Sequence, residues 1–163
     1  MVKVTPNLWF DGNAEEAAKF YVSLLPDSRI ENIWRSPADN PSTPEGAALM
    51  VDFTVGGQRF TGINGGPQFP FTEAVSFVID CEDQAEVDRL WSALIADGGS
   101  PGQCGWLKDR FGVSWQVIPR QLGEMLGSPD RDGARRAMEA MLRMTKIDVA
   151  TMREAFGPLA PST

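Results

Sequence analysis

The chain contains no histidine among its 163 residues. That removes the usual general base at neutral pH and the commonest transition-metal ligand. Cysteine is scarce: Cys81 and Cys104 are too few for a disulfide framework, and neither sits in a metal-ligand spacing. A reduced, cytoplasmic setting is the expectation. Basic residues are outnumbered, giving a net charge of −7. Nucleic acid and anionic membrane surfaces select for basic patches, so neither is expected as a partner. No apolar run approaches the length of a membrane span, and no signal-peptide pattern precedes Thr5.

What remains is ordinary globular composition, 42% hydrophobic and 23% charged, enough for a core. The most informative stretch is residues 104–119, CGWLKDRFGVSWQVIP. Two short apolar runs flank Asp109-Arg110-Phe111-Gly112, which reads as a hairpin turn with Gly112 free to take positive φ. Trp115, Val117 and Ile118 favour a strand that Pro119 stops. Alternation puts Trp115 and Val117 on one face and Ser114, Gln116 and Ile118 on the other. The first face must pack. The second suits the wall of a small-molecule site, or simply faces water.

The chain repeats its own grammar. Residues 4–10 are a short apolar run. Asn13-Ala14-Glu15-Glu16 follows as a capping box, and Ala14, Ala17, Ala18, Tyr21, Leu24 and Leu25 form a helix face ended by Pro26. Residues 74–79, the box Asp83-Gln84-Ala85-Glu86 and the face Val87, Leu90, Trp91, Leu94 and Ile95 repeat this order. A hairpin follows each helix, turning at Gly56-Gly57 and at residues 109–112. The first half also holds a strand at 29–35 and an exposed loop, SPADNPSTPE, at 36–45. The second half has only residues 97–103 there, so its matching strand is short or absent. Recurrence in the same order points to duplication. Beyond the break at Gly127-Ser128-Pro129-Asp130, Ala134, Ala137, Met138, Met141 and Leu142 make a helix stripe, with Val149, Met152 and Phe156 on a second helix. These pack over the sheet or on a partner subunit. Residues 159–163 are expected to fray.

A βαβββ unit used twice resembles the vicinal oxygen chelate superfamily, which includes glyoxalase I, extradiol dioxygenases and bleomycin-resistance proteins. The phrases PNLWFDGNAEEAAKFY, FTGINGGPQF, SFVIDCEDQAEVDRLW, CGWLKDRFGVSWQVIP and AMLRMTKIDVATMREAF resemble its PhnB-like, 3-demethylubiquinone-9 3-methyltransferase-like branch, over nearly the whole chain. The resemblance implies an α+β fold of paired βαβββ modules with curved mixed sheets, at residues 1–66 and 67–120, plus C-terminal helices at 121–163. It also implies metal ligands at set places, which here carry Thr5, Thr61, Ala74 and Gln116. Only Gln116 offers an amide oxygen and none is anionic, so no metal and no cofactor are expected. No glycine-rich strand-to-helix loop of the kind that binds S-adenosylmethionine is visible.

Strand parity and the superfamily's curved sheets then give the wall of a cup. Asn7, Trp9, Met50, Asp52, Thr54, Arg59, Thr61 and Ile63 come from the first module. Ser76, Val78, Leu107, Ser114 and Gln116 come from the second. The ligand-binding candidates are Asn7, Trp9, Asp52, Arg59, Thr61, Ser76, Ser114 and Gln116. Arg59 is a rim charge expected to pair with Asp52. Leu8, Phe10, Val51, Phe53, Val75, Phe77 and Ile79 should lie on the helix-covered faces, with Trp106 in the core and Cys104 an inert thiol. Such a cup fits a small, partly planar ligand. Two functions stay open: a binding protein, or a metal-free enzyme with Asp52 as the one evident general base. The truncated second module leaves an open sheet edge, so a homodimer is expected, the alternative being a monomer whose tail helices cover that edge within one chain.

Overall fold

A computed structural model describes residues 3–158; the fraying expected of residues 159–163 lies outside the described residues. The chain divides between Phe71 and Thr72 into two units, each with its own four-stranded sheet.

The first unit runs β1 (Asn7–Phe10), α1 (Ala14–Val22), β2 (Arg29–Arg35), β3 (Ala48–Val55) and β4 (Gln58–Asn64). The sheet order is β1-β4-β3-β2, with β1 parallel to β4 and the other pairs antiparallel. Alternation along β1, β3 and β4 sends Leu8, Phe10, Val51, Phe53, Val55 and Phe60 under α1, where Ala14, Ala17, Ala18 and Tyr21 are buried. The alanines keep the helix close to the sheet. Phe53 stacks between Tyr21 and Phe60, at centroid distances of 6.2 and 5.5 Å. Gly56 and Gly57 both take positive φ in the β3–β4 turn, as a tight hairpin requires.

The helix start departs from the sequence expectation. Asn13 makes no side-chain cap. The free amide of Ala14 is instead met by Oδ1 of Asn64 at 2.9 Å, from the end of β4. Asn64 Nδ2 donates to the Ala48 carbonyl at 2.9 Å, and the Asn64 carbonyl accepts from Thr43 Oγ1 at 3.2 Å. One buried asparagine thus ties the helix to two strands through its side chain and to the 36–47 loop through its carbonyl. The helix also ends at Val22, before Pro26 is reached.

The second unit repeats the order: β5 (Phe77–Cys81), α2 (Gln84–Ile95), β6 (Ser100–Pro101), β7 (Trp106–Lys108) and β8 (Ser114–Pro119), arranged β5-β8-β7-β6 with β5 parallel to β8. Asp83 caps α2 through the Glu86 amide at 2.9 Å, and Glu86 reaches back to the Glu82 amide at 2.8 Å. Here the box forms, displaced by one residue on its return arm. Strand β5 begins at Phe77 rather than Ala74. Val75, expected in the core, precedes the strand and is 65% exposed.

The turn after β7 is longer than its tetrapeptide suggests. Asp109 Oδ1 accepts from the amides of Phe111 (2.8 Å) and Val113 (3.0 Å), and its Oδ2 accepts from Trp115 Nε1 at 2.9 Å. Val113 therefore belongs to the turn, and Leu107 pairs with Trp115 while Trp106 pairs with Gln116. A one-residue slip exchanges the faces of a strand. Leu107 is buried beneath α2, and Trp106, expected in the core, lies on the opposite face with Lys108.

Three helices follow: α3 (Arg120–Leu126), α4 (Arg131–Met141) and α5 (Val149–Phe156). Helix α3 leaves β8 without a loop, and no side-chain cap marks its start in the sequence. Leu122, Met125, Ala137, Met141, Ile147, Met152 and Phe156 form a core of their own. Leu142, counted in the same stripe by spacing, is 56% exposed. The segment between α4 and α5 docks on the sheet. The Cys104 and Gly105 amides donate to the Met144 and Thr145 carbonyls at 2.9 and 2.7 Å. Gln84 on α2 holds the Ile147 carbonyl (3.0 Å) and the Val149 amide (2.8 Å), and Lys146 pairs with Asp88 at 2.7 Å. None of the described helices is long and apolar enough to cross a membrane.

Candidate functional site

Each sheet has one face under its helix and one open face, and the chemistry gathers on the open ones. On the first sheet the register aligns side chains into rows. Trp9, Ile63, Met50 and Trp34 are consecutive partners across β1, β4, β3 and β2, and Asn7, Thr61, Asp52 and Asn32 form the next row. An apolar row with an indole at each end thus lies beside a polar row. Asn7, Trp9, Asp52, Arg59 and Thr61 all fall on this face, as their parity demanded.

The tryptophans are fixed. Trp9 Nε1 donates to the Gly66 carbonyl at 2.8 Å, and Phe69 meets its ring edge-on at 4.9 Å. A Cβ on Gly65 would fall 2.2 Å from the Trp9 ring, so only glycine allows the indole to lie there. Trp34 is 50% exposed, yet its Nε1 donates to Asp52 Oδ2 at 2.7 Å. The sequence gives no sign of this partner, because nothing local places β2 beside β3. Arg59 makes no ion pair with Asp52. It lies opposite Thr54 at the turn end, near Glu31. The Glu31 carboxyl is held below its usual range, chiefly by the hydrogen bond from Thr54 Oγ1 at 2.7 Å, with Arg29 at 3.0 Å adding to it.

On the second sheet Gln116 and Ser76 are brought together, Gln116 Nε2 donating to Ser76 Oγ at 2.9 Å. Ser100, Lys108 and Ser114 are consecutive partners across β6, β7 and β8. A cavity of about 250 Å³ opens beside them, lined by Glu73, Gly102, Trp106 and Leu107 among others. Lys108 carries an ion pair with Glu73, and its hydrogen bond holds the Glu73 carboxyl below the usual range. Ser114 is only 2% exposed and its hydroxyl has no hydrogen-bond partner. Sequence parity points to Ser114 but not to Lys108 or Trp106, because the face of β7 is inverted, and Glu73 lies in the turn before β5, where no parity applies.

The residues at the positions where the resemblance implies metal ligands do not fit a divalent cation. Thr5 and Thr61 offer hydroxyls, Ala74 offers nothing, and the Gln116 amide is already engaged with Ser76. Among the described residues no group of three potential His, Cys, Asp or Glu ligands is gathered. The two free thiols stand in unlike settings. Burial pushes Cys81 up to about 12, and Cys104, in a positive-φ turn, packs against the tail core rather than beside Lys108.

Residues 2–118 match the family described as 3-demethylubiquinone-9 3-methyltransferase. Among solved structures, a PhnB protein from Bacillus cereus is 35% identical, covering 72% of this chain and 99% of that one with a TM-score of 0.66. Protein PA1353 from Pseudomonas aeruginosa is 25% identical, covering 73% of this chain and 98% of that one with a TM-score of 0.60. A glyoxalase/bleomycin resistance protein from Albidiferax ferrireducens T118 is 17% identical, covering 71% and 96%, with a TM-score of 0.45. No curated protein matches the chain.

Proposed function

This chain belongs to the 3-demethylubiquinone-9 3-methyltransferase family, the PhnB-like branch of the vicinal oxygen chelate superfamily, and on that basis we propose that it binds a small, partly planar ligand without a metal. The observation that carries the reading is the pair of rows on the first sheet. Trp9, Ile63, Met50 and Trp34 give a flat apolar strip, and Asn7, Thr61, Asp52 and Asn32 give hydrogen-bonding groups along one edge of it. A planar ligand with one polar edge matches that arrangement. The glycine pairs have other tasks. Gly56-Gly57 forms a hairpin turn, and Gly65-Gly66 seats Trp9. Neither of these two pairs opens a helix, so neither is a strand-to-helix loop of the kind that holds S-adenosylmethionine.

Native mass spectrometry of the purified protein tests this. The expected result is a small-molecule adduct, lost in Trp34→Ala and Asp52→Asn. An adduct retained by both variants would remove the ligand from this face. The second reading, a metal-free enzyme, rests on Asp52 alone. It requires turnover that Asp52→Asn abolishes while binding survives.

A homodimer in the cytoplasm completes the proposal. Val78, Met138 and Leu142 are large apolar side chains left exposed on the second unit, which supports a partner surface. The open-edge argument is weaker than the sequence implied, since residues 144–145 already take the amides beside the short β6. Two free thiols support a reducing compartment.

A further inference from the structure

We propose that the open face of the second sheet carries a site of its own for a small aromatic carboxylate. The ligand's carboxylate replaces Glu73 on Lys108 and accepts from the Ser114 hydroxyl, and its ring lies against Trp106. The inference rests on the reading of the chain as a small-molecule binder, but not on the first sheet's face.

Three observations converge. Ser100, Lys108 and Ser114 form one row across three strands, an ammonium flanked by two hydroxyls. That is a donor set for an oxyanion. The Ser114 hydroxyl is buried without a partner, a state that costs free energy unless something supplies the missing bond. A cavity of about 250 Å³ borders the same row, with the half-buried Trp106 and Gly102 in its wall. A Cβ at Gly102 would lie 2.8 Å from the Trp106 carbonyl, which accepts from the Gly102 amide, so this wall position takes a small residue. Glu73 supplies the model for the ligand, because it is itself a carboxylate resting on Lys108. Its side chain is 62% exposed, and exposed ion pairs contribute little, so an incoming carboxylate displaces it at small cost.

The test is a benzoate titration followed by the Trp106 indole signal in nitrogen-15 NMR, with benzamide and inorganic phosphate as comparison probes. Saturable benzoate binding is expected. Lys108→Met should weaken it by about tenfold or more, as for a lost charged hydrogen bond. Ser114→Ala should weaken it about five- to tenfold. Glu73→Gln, which removes the competing carboxylate, should tighten it by about two- to fivefold. Trp34→Ala should leave it unchanged. Lys108 and Glu73 are surface positions and Ser114→Ala is nearly isosteric, so all three variants should keep the wild-type spectrum elsewhere. Absence of benzoate binding would overturn the inference. So would benzamide binding as tightly, or phosphate competing at equal affinity, or indifference to Lys108→Met and Ser114→Ala. Loss of benzoate in Trp34→Ala but not Lys108→Met would place the ligand on the first sheet, refuting this site while leaving the broader function standing.

Discussion

Replacing Asn64 with alanine should destabilise the first unit far more than replacing Asn13, although the sequence makes Asn13 the cap. Asn64 is 5% exposed and makes two side-chain hydrogen bonds, to the Ala14 amide and the Ala48 carbonyl, each 2.9 Å. Ala14 is fully buried, so its amide has no route to water once Oδ1 is gone. Orphaning one such donor costs about 1–3 kcal/mol. The Ala48 carbonyl is only half-buried, and its loss adds about 0.5–1 kcal/mol because water can substitute in part. Together these give about 1.5–4 kcal/mol for Asn64→Ala. Asn13 makes no side-chain cap, so Asn13→Ala should stay within about 0.5 kcal/mol. Urea unfolding followed by circular dichroism, fitted with a common slope, reads both values. Equal losses in the two variants, or less than about 0.5 kcal/mol for Asn64→Ala, would refute the assignment of the cap to β4.

Met141 and Leu142 should also separate. Met141→Ala removes a side chain from the tail core and should cost about 2–3 kcal/mol, whereas the exposed Leu142 should tolerate alanine within about 0.5 kcal/mol; thermal unfolding of both variants checks this. The Asp88 carboxyl is held below its ordinary value of 3.8 by Lys146 and Gln84. A depressed carboxyl stabilises the docked tail above that value and loses the contribution as pH falls through the lower folded one. Protection of the Cys104 and Gly105 amides, whose partners lie in the docked segment, measured against intrinsic exchange at each pH, should therefore fall from about pH 4 downward in wild type but show no such step in Asp88→Asn. Elemental analysis should find no stoichiometric, chelator-resistant zinc, iron, manganese or nickel. Sedimentation at low micromolar concentration should give twice the chain mass, and a concentration-independent monomer would end the dimer proposal.

Alternation made much of the architecture readable. Leu8, Phe10, Val51 and Phe53 could only be buried on one face, which sent Asn7, Trp9, Asp52 and Thr61 to the other. The duplicated order of strand, capped helix and hairpin came through because each element carries its own local signal. Three features did not. Asn13 has the right chemistry in the right place, but a side chain fifty residues away takes the amide. Asp109 extends its turn by one residue through bonds to Phe111, Val113 and Trp115, and the slip exchanges Leu107 for Trp106 and Lys108 on the open face. Trp34 meets Asp52 only because β2 lies beside β3, a matter of sheet order that no local pattern carries.

The short second module and the added tail are physically one solution. In the first unit β2 has seven residues and pairs along β3. In the second, β6 has two and pairs only with Leu107 and Lys108. The amides of Cys104 and Gly105 would then face an uncovered edge, and each buried orphan costs more than any single exposed contact returns. Residues 144–145 supply the missing carbonyls without forming a regular strand. What holds them there is side-chain chemistry on α2: Gln84 gripping the backbone at Ile147 and Val149, and Asp88 receiving Lys146. The family match stops at residue 118, before α3 begins. The residues that receive the tail, Gln84, Asp88, Cys104 and Gly105, nevertheless lie inside the matched span. The core that covers Ile118 and Cys104 is built from outside it. A sheet truncated at β6 and a helical tail that ends its edge therefore make sense together, each leaving polar backbone unanswered without the other.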